Sequence, residues 1–309
     1  MNLSVVITTR NRKEDLMECV DSLSESSYKD FEIIIIDDSS SDGTEYLRKK
    51  DFNIRNLSIF HSKQQLMMVG ARNMGARKAM GEWVMFVDDD NVLDREFVKN
   101  MWDCCQKYND FGIIGAPVYF FYDRKRHFSG QKFSFITGSS KTIIDNVKNK
   151  EIIESDAVPN IFMTRKDLLK KTNYFDPSLI QSLTDIDFVF SVKKLGLKSG
   201  ICQDAVTYHK VKMEDNLKPR FMGGIFNQKS YCLIRNRMVL IKRYGKFLQK
   251  IIYLIFFSWL WPLFYSILSI KYKRFDLVKY YLFGFKDGLI YFLTGQLKNS
   301  LPFLSKQNV

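Results

Sequence analysis

The sequence predicts an α/β protein with a mainly parallel central sheet and a helical C-terminal region. Two uncharged runs, residues 33–36 and 83–87, are too short for helices and suit buried parallel strands. Such strands alternate with segments of helical periodicity, which is the order that βαβ units produce. The excess of positive charge lies in the last third of the chain, among long apolar runs, which sets that region apart.

The individual elements follow from this periodicity. Strands are expected at residues 3–8, 31–36, 57–61, 83–87 and 112–119. Helices are expected at residues 12–23, 42–50, 70–80, 95–108, 167–173, 185–195 and 217–245. Gly196 is expected to cap the helix at 185–195, and residues 122–155 support only a loop or short antiparallel strands. We place the domain boundary between residues 1–212 and 213–309.

The composition indicates a globular, reduced protein. A chain of 309 residues with 46% hydrophobic content can bury a full core. The five cysteines have no paired metal-ligand spacing, so we expect reduced core residues in a cytosolic environment and no disulfide framework. The first residues show no succession of basic, apolar and small residues, so no signal peptide is expected.

The net charge of +13 is unevenly distributed. Residues 210–309 hold 18 Lys or Arg against 4 acidic residues, whereas the first 209 residues hold 29 against 30. The C-terminal cations are interleaved with apolar and aromatic runs. This pattern favours an anionic membrane surface over nucleic acid as the partner.

Residues 251–270 form an uncharged stretch that is long enough to span a bilayer. Pro262 interrupts it, and both of its flanks are basic. A single crossing would export the seven Lys or Arg of the remaining tail, against the positive-inside tendency. We therefore favour two helices, 251–270 and 275–294, that lie in or dip into the cytoplasmic leaflet. A true span and a buried helix pair remain alternatives.

Two acidic clusters follow predicted strands, Asp37-Asp38 and Asp88-Asp89-Asp90. The carboxyl ends of strands in open α/β sheets line the crevice where ligands bind. Each Asp could also be a turn former or a helix cap. Three adjacent carboxylates, however, repel one another unless a cation neutralises them. An oxygen-rich site of this kind suits Mg²⁺ or Mn²⁺ and a phosphate-bearing substrate.

Five motifs stand out along the first two thirds of the chain. They are Val-Val-Ile-Thr-Thr-Arg-Asn-Arg at 5–12, Ile-Asp-Asp-Ser-Ser-Ser-Asp-Gly-Thr at 36–44, Gly-Ala-Arg-Asn-Met-Gly at 70–75, Phe-Val-Asp-Asp-Asp at 86–90 and Thr-Asp-Ile-Asp-Phe at 184–188. Together these motifs resemble those of the family 2 glycosyltransferases, whose nucleotide-binding domain has the GT-A fold. They occur in the family's order over about residues 1–210. The resemblance implies a GT-A fold, a nucleotide-sugar donor and a divalent cation, Mg²⁺ or Mn²⁺.

The resemblance also implies roles for particular residues. The implied donor-binding residues are Thr8, Thr9, Arg10, Asn11, Asp37, Asp38, Arg72, Asp88 and Asp89. Asp88 and Asp90 would form the Asp-x-Asp motif that bridges through the metal to the diphosphate, with His209 as a weaker candidate ligand. Asp185 lies at the position of the catalytic base of inverting members, although Thr184 stands where an acid often precedes it. Asp187, Arg235 and Arg237 could contact the acceptor or a lipid phosphate.

Each of these assignments has a plain structural alternative. Asp185 and Asp187 could be first-turn charges that stabilise a helix dipole. His209 could be a core or solvent-facing histidine, and the two arginines could contact phospholipid head groups.

The expected function is an inverting, metal-dependent glycosyltransferase at the cytoplasmic face of the cell membrane. It would move one sugar from a nucleotide-sugar to a lipid-linked or glycan acceptor. The sequence lacks the Gln-x-x-Arg-Trp of processive synthases, which favours transfer of a single sugar. One alternative is a nucleotidyltransferase, although residues 8–12 lack the Gly-rich phosphate loop expected of one. The other is a non-enzymatic module that binds membranes or polyanions.

Overall fold

The computed structural model describes residues 1–143, 151–210 and 227–301. The chain forms two units. The first contains Met1–Lys132, Thr142–Pro177 and the chain from Thr184 to Lys212, and the second contains Phe133–Lys141, Ser178–Leu183 and the remainder after Lys212. The expected boundary at 212 and 213 lies outside the described residues, and the two short excursions into the second unit were not predicted.

The described part of the first unit is built on an eight-stranded sheet. Its strands are β1 (Leu3–Thr9), β2 (Phe31–Asp37), β3 (Leu57–His61), β4 (Trp83–Asp88), β6 (Phe111–Gly115), β11 (Ile152–Glu154), β12 (Ile161–Arg165) and β13 (Lys198–Cys202). They lie in the order β11-β13-β6-β12-β4-β1-β2-β3. Neighbours from β4 to β3 are parallel, as is the β13–β6 pair, whereas β12 is antiparallel to both of its neighbours. The expected mainly parallel sheet is confirmed.

Helices cover this sheet because their small and apolar residues can approach it closely. They are α1 (Lys13–Ser24), α2 (Met67–Lys78), α3 (Phe97–Lys107), α4 (Lys166–Lys171) and α5 (Thr184–Lys193). In α2, a Cβ on Gly75 would lie 2.2 Å from Cγ1 of Val6, so only glycine permits this approach to β1. Gly196 follows α5 with a φ of +83°, as expected of a C-cap.

Smaller sheets complete the first unit. The strands β5 (Asn91–Leu93), β7 (Val118–Phe120), β8 (Arg126–Phe128) and β14 (Thr207–His209) form a second sheet in the order β5-β14-β7-β8. A two-stranded pair consists of β9 (Gln131–Phe133) and β10 (Ser140–Thr142). Residues 122–155, for which a loop or short antiparallel strands were expected, therefore contain short strands. Residues 144–150 lie outside the described ranges.

Three expected elements were wrong in type or extent. Residues 42–50 are not an α-helix but two short 3₁₀ turns, Thr44–Tyr46 and Lys49–Asp51. The reason is local, because Gly43 adopts a φ of +99° and Asp42 accepts hydrogen bonds from the amide and hydroxyl of Thr44. The strand expected at 112–119 is two strands, β6 and β7, and the helix expected from Gly70 begins at Met67.

The five cysteines are buried and free, in agreement with the expectation of reduced core residues. The core of the first unit comes chiefly from the strands, whose apolar residues are almost completely buried.

The described part of the second unit consists mainly of helices. They are α6 (Asn227–Tyr244), α7 (Phe247–Ile252), a π-helical turn (Tyr253–Phe257), α8 (Leu260–Lys271) and α9 (Asp276–Thr294). The helix expected from residue 217 is therefore described only from Asn227. A Cβ on Gly284 would lie 2.5 Å from the carbonyl oxygen of Tyr231, and one on Gly288 would lie 2.7 Å from Sδ of Met238. This spacing of glycines lets α9 cross α6 with close backbone contact.

Candidate active site

Three adjacent parallel strands place the two acidic clusters at one edge of the sheet. Thr9, at the end of β1, lies opposite Asp37 at the end of β2. On the other side of β1, Thr8 lies opposite Asp88 at the end of β4. Register alone therefore brings both clusters and the threonines together, as the sequence predicted.

The two carboxylates of the first acidic cluster, Asp37 and Asp38, have different hydrogen-bond partners. Asp37 is buried, and its Oδ2 lies 2.9 Å from Nδ1 of His61. Asp38 accepts hydrogen bonds from the backbone amides of Leu66 and Met67, at 3.0 Å in the second case, and so caps the start of α2. Burial raises the pKa of Asp38. Through these hydrogen bonds, Asp38 joins the end of β2 to the start of α2, a contact between distant parts of the chain and not a cap of the segment that follows it.

Asn11 organises the loop that follows β2. Its φ is +53°, a backbone conformation that asparagine adopts more readily than most residues. Its backbone amide donates to Oγ of Ser40 at 2.8 Å, and its Oδ1 accepts from the amide of Ser41 at 2.7 Å. The preceding residue, Arg10, is exposed beside the loop.

Arg72 joins α2 to the second acidic cluster. Its Nη2 donates to Oδ1 of Asp88 at 2.7 Å, and the arginine is almost completely buried. Its guanidinium lies 5.7 Å from the ring centroid of Phe162. A planar cation held by a carboxylate and an aromatic ring has a fixed orientation. Arg72 therefore presents a preorganised positive charge at the strand ends.

Asp89 and Asp90 share a second arginine, Arg12. Its Nη1 lies 3.0 Å from Oδ1 of Asp89 and 2.7 Å from Oδ2 of Asp90. On the far side, Nε2 of His209 lies 3.2 Å from Oδ1 of Asp90. Pairing of β14 with β5 sets His209 opposite Asn91, next to the cluster.

These contacts separate the pKa values of the neighbouring carboxylates. Burial raises the pKa of Asp89 to about 7, although Arg12 opposes this shift. Burial also acts on Asp90, but His209 and Arg12 outweigh it and lower the pKa of Asp90 to about 2. Asp90 is therefore the carboxylate that stays ionised throughout the working pH range.

A divalent cation fits this cluster only with help from a ligand. Oδ2 of Asp89 is buried without a hydrogen-bond partner in the described structure, and Oδ1 of Asp90 has only the nearby ring of His209. Within residues 1–143, 151–210 and 227–301, no three His, Cys, Asp or Glu side chains converge on one point. Mg²⁺ commonly takes one or two carboxylates and completes its shell with substrate phosphates. Asp90 and His209 fit that incomplete set.

Asp185 lies in the first turn of α5, within electrostatic reach of Arg72. Burial of its carboxylate raises the pKa of Asp185 to about 6, and the positive charge of Arg72 opposes the shift. A carboxylate with a pKa near neutrality is suited to proton abstraction. Asp187, two residues later, is buried. Negative charges in the first turn of a helix also stabilise the helix dipole. The position of Asp185 and Asp187 is therefore compatible both with a role in proton transfer or acceptor contact and with a purely structural role.

The remaining predicted residues lie in the second unit. Arg235 and Arg237 belong to α6 and both are buried. Arg235 uses its guanidinium to bind the carbonyl oxygen of Ser178 at 2.5 Å. Nε and Nη1 of Arg237 have no hydrogen-bond partner in the described structure, and its guanidinium lies 4.0 Å from the ring centroid of Trp261. Contact of either arginine with a lipid phosphate stays a prediction.

Sequence reasoning missed two residues of the site, Arg12 and His61. Arg12 ends the first motif, and His61 ends β3, opposite Asp37 in the sheet register. A polar residue at the carboxyl end of a neighbouring strand is the signal that would have identified His61.

Comparison with known proteins places this geometry in a family. Residues 4–172 match the sequence family described as Glycosyl transferase family 2. The chain is similar to glycosyltransferase GlyG of Streptococcus pneumoniae, with 24% identity over 186 residues that make up 56% of this chain and 59% of GlyG. It is also 24% identical to the poly(ribitol-phosphate) beta-N-acetylglucosaminyltransferase TarS of Staphylococcus aureus, over 69% of this chain and 36% of TarS. The chain thus spans about three-fifths of GlyG and about a third of TarS.

Solved structures agree with this assignment at the level of the fold. TarS 1–349 in complex with UDP-GlcNAc superposes with a TM-score of 0.59 at 17% identity, covering 100% of this chain and 88% of that one. The mannosyltransferase PcManGT from Pyrobaculum calidifontis, in complex with GDP-Man and Mn²⁺, gives 0.58 at 15% identity, covering 96% and 88%. The expected GT-A fold is confirmed. Because the matched family region covers more than half of the chain, the protein belongs to glycosyl transferase family 2.

Proposed function

We propose that the protein is an inverting, metal-dependent glycosyltransferase that moves one sugar from a nucleotide-sugar donor to a lipid-linked or glycan acceptor. The observation that supports this best is the division between two kinds of carboxylate. Asp88, Asp89 and Asp90 form ion pairs with Arg72 and Arg12, whereas Asp185 is a carboxylate at the start of α5 whose pKa is raised by burial to about 6. One group is suited to a charged donor and the other to proton transfer.

The donor occupies the edge formed by β1, β2 and β4 in this proposal. Asp37 and its neighbour Asp38 face the nucleoside, and Arg72 faces the diphosphate from α2. The complexes of TarS with UDP-GlcNAc and of PcManGT with GDP-Man support a nucleoside diphosphate sugar as the ligand class. Planar guanidinium groups recognise phosphate oxygens in bidentate fashion, which is the role suited to Arg72.

A cation would be held by Asp90 and His209, with Asp88 as the other carboxylate of the Asp-x-Asp motif. When bound, such a cation stabilises the negative charge that develops on the leaving diphosphate. Histidine is accepted more readily by Mn²⁺ than by Mg²⁺, so the pair favours Mn²⁺. The Mn²⁺ in the complex of PcManGT supports metal use by this fold.

Asp185 acts as the general base in this proposal. It removes the proton of the acceptor hydroxyl while that oxygen attacks the anomeric carbon, and the nucleoside diphosphate leaves from the opposite face. One in-line displacement of this kind inverts the anomeric centre. Arg72 lowers the pKa of Asp185 against the effect of burial, which keeps the base largely ionised at neutral pH.

We further propose that the protein works at the cytoplasmic surface of the cell membrane. Residues Phe247–Lys271 form the one helix of the described chain that is long and apolar enough to cross a membrane, with a mean hydropathy of 1.9. Ile255, Phe256, Leu263, Phe264 and Ile267 are exposed along it, whereas Tyr253, Ser258, Ser266 and Ser269 are buried. Small polar residues inside and large apolar residues outside suit a helix in contact with lipid.

A donor screen by thermal shift tests this proposal. The protein should be stabilised by one nucleoside diphosphate sugar in the presence of Mn²⁺ or Mg²⁺, because a ligand that binds only the folded state raises the melting temperature. Stabilisation by nucleoside triphosphates instead, with release of pyrophosphate on turnover, would identify a nucleotidyltransferase. No shift with any nucleotide would leave a non-enzymatic binding module as the better account.

A further inference from the structure

The loop Ser178–Leu183 in the second unit has a strained backbone. Ile180, Ser182 and Leu183 have φ values of +65°, +63° and +62°. This left-handed region is uncommon for residues other than glycine, and branched or bulky side chains are outliers there. Strain of this kind persists only where surrounding contacts determine the backbone, and such positions cluster at functional sites.

One side chain of α6 holds most of this loop. Nδ2 of Asn236 lies 2.8 Å from the carbonyl oxygens of both Leu179 and Gln181, and 2.9 Å from that of Ser182. Asn236 is 0% exposed. The carbonyl oxygen of Leu179 also accepts from the backbone amide of Gln181 at 2.7 Å. The two hydrogens of the Asn236 amide are therefore shared among carbonyl groups that would be costly to leave without partners in a buried position.

The neighbouring residue fixes the orientation of that amide. Nε and Nη2 of Arg235 each donate to Oδ1 of Asn236 at 3.0 Å, which leaves the amide nitrogen to face the loop. Nη2 of Arg235 also donates to the carbonyl oxygen of Ser178 at 2.5 Å. The arginine is itself fully buried. Arg235 and Asn236 therefore form one unit that contacts the loop from Ser178 to Ser182.

The loop leads directly into α5, which begins at Thr184 and has Asp185 as its second residue. Because the backbone is continuous, the conformation of residues 178–183 sets the direction in which the chain enters that helix. We propose that Arg235 and Asn236 are positioning residues for Asp185, acting through the backbone of this loop. This inference rests on the proposed function, because it takes Asp185 as the base. It gives the C-terminal helices a part in catalysis in addition to membrane contact.

The variant Asn236→Ala tests the inference directly. The rate constant kcat of sugar transfer should fall by about 10-fold to 100-fold, because a displacement of about 1 Å can cost about 100-fold. The KM for the donor should stay within about twofold of the wild-type value. Amide hydrogen exchange of the peptide that covers residues 178–185 should become faster. Arg235→Lys keeps one donor and should give a smaller change in each measurement, and it replaces Asn236→Ala if that variant fails to fold.

Met238→Ala is the matched control. Met238 is equally buried in α6 but faces Gly288, so its loss lowers stability without removing a contact to the loop. It should leave kcat unchanged below the melting temperature.

Three outcomes would overturn the inference. Exchange at residues 178–185 could stay at the wild-type rate in Asn236→Ala, exchange could rise while kcat stays unchanged, or Met238→Ala could lower kcat equally. Failure of the proposed function is distinguishable, because Asp185→Asn would then transfer sugar at the wild-type rate and no positioning of Asp185 could matter.

Discussion

Arg12 changes the interpretation of the acidic cluster at the scale of single residues. Two carboxylates in a buried environment repel each other, and here one guanidinium lies within 3.0 Å of both Asp89 and Asp90. One positive charge therefore offsets part of the negative charge of the two carboxylates before any cation binds. In the proposed function, a divalent cation at Asp90 would compete with Arg12 for that carboxylate.

The variant Arg12→Gln should be less stable than the wild type by about 1–2 kcal/mol at neutral pH. This loss in the free energy of unfolding is smaller than the loss expected on breaking a fully buried ion pair, because the Arg12 side chain is half-exposed. Addition of Mn²⁺ alone should raise the melting temperature of Arg12→Gln more than that of the wild type. Arg10→Gln is the control, since it removes a nearby exposed charge. Equal Mn²⁺ shifts in all three proteins would show that Arg12 does not compete with the metal.

As the proposed base, Asp185 should make the reaction dependent on pH. A base must be deprotonated to accept a proton, and burial raises the pKa of Asp185 to about 6. The kcat of transfer should therefore fall as the pH is lowered through about 6, and should level off above about 7. A pH series of kcat at saturating donor and metal checks this. A flat profile from pH 5 to 8 would remove Asp185 as the base.

The raised pKa of Asp185 also affects folding stability, which should decrease as the pH rises, whereas activity should increase. A carboxylate with a folded-state pKa above its unfolded value binds protons more tightly in the folded protein. Its contribution to stability is present below the unfolded pKa of about 3.9 and is lost as the pH rises through about 6. Asp185→Asn should therefore fold at least as stably as the wild type at pH 8. Loss of activity in that variant cannot then be attributed to unfolding.

At the scale of elements, the helical segment Phe247–Lys271 exposes many large apolar side chains. Phe247 is 80% exposed, and the outward residues Ile255, Leu263 and Ile267 recur at helical spacing. Lys246 and Lys250 lie at its start and Lys271 at its end. An apolar face between cations is complementary to an anionic bilayer surface.

The triple variant Ile255→Glu, Leu263→Glu and Ile267→Glu should abolish sedimentation with vesicles that contain phosphatidylglycerol. Three carboxylates on the face proposed to contact lipid are costly to place in the apolar part of the bilayer, and the anionic surface repels them. A matched control places glutamate at Tyr46, Met80 and Leu195, which are exposed apolar residues of the first unit. Equal loss of sedimentation in the control, or continued sedimentation of the helix variant, would contradict membrane contact through this helix.

Elements that depend on local periodicity could be predicted from the sequence. The strands β1 to β4 and their carboxyl ends were predicted closely, because an uncharged run followed by Asp marks both the strand and its end. The helix expected at 42–50 was wrong because Asp42 and Gly43 favour tight turns over helix propagation. The spacing of apolar residues indicates which face of a segment is buried. It does not reveal turns that are fixed by individual side-chain hydrogen bonds.

Contacts that depend on distant parts of the chain could not be predicted in the same way. The pairing of Arg12 with Asp89 joins residues 77 positions apart, and that of Asn236 with the carbonyl of Leu179 joins residues 57 apart. The motifs placed Asp37, Asp88 and Asp185 in the site but could not show which cation accompanies each. Only the assembled sheet and helices determine these partners.

At the scale of the whole molecule, the account assigns donor binding and proton transfer to different residues. In the proposed function, the donor binds at the ends of β1, β2 and β4, and the base is Asp185 at the start of α5. This division is the central claim, because it separates binding from chemistry and predicts that one can be removed without the other.

The variant Asp185→Asn tests this claim most directly, since it replaces the carboxylate with an amide of the same shape. Donor affinity with Mn²⁺, measured by calorimetry, should stay within about threefold of the wild type, while the rate of sugar transfer should fall by about 10²-fold to 10⁴-fold. Transfer at the wild-type rate, or loss of donor binding together with transfer, would contradict the account.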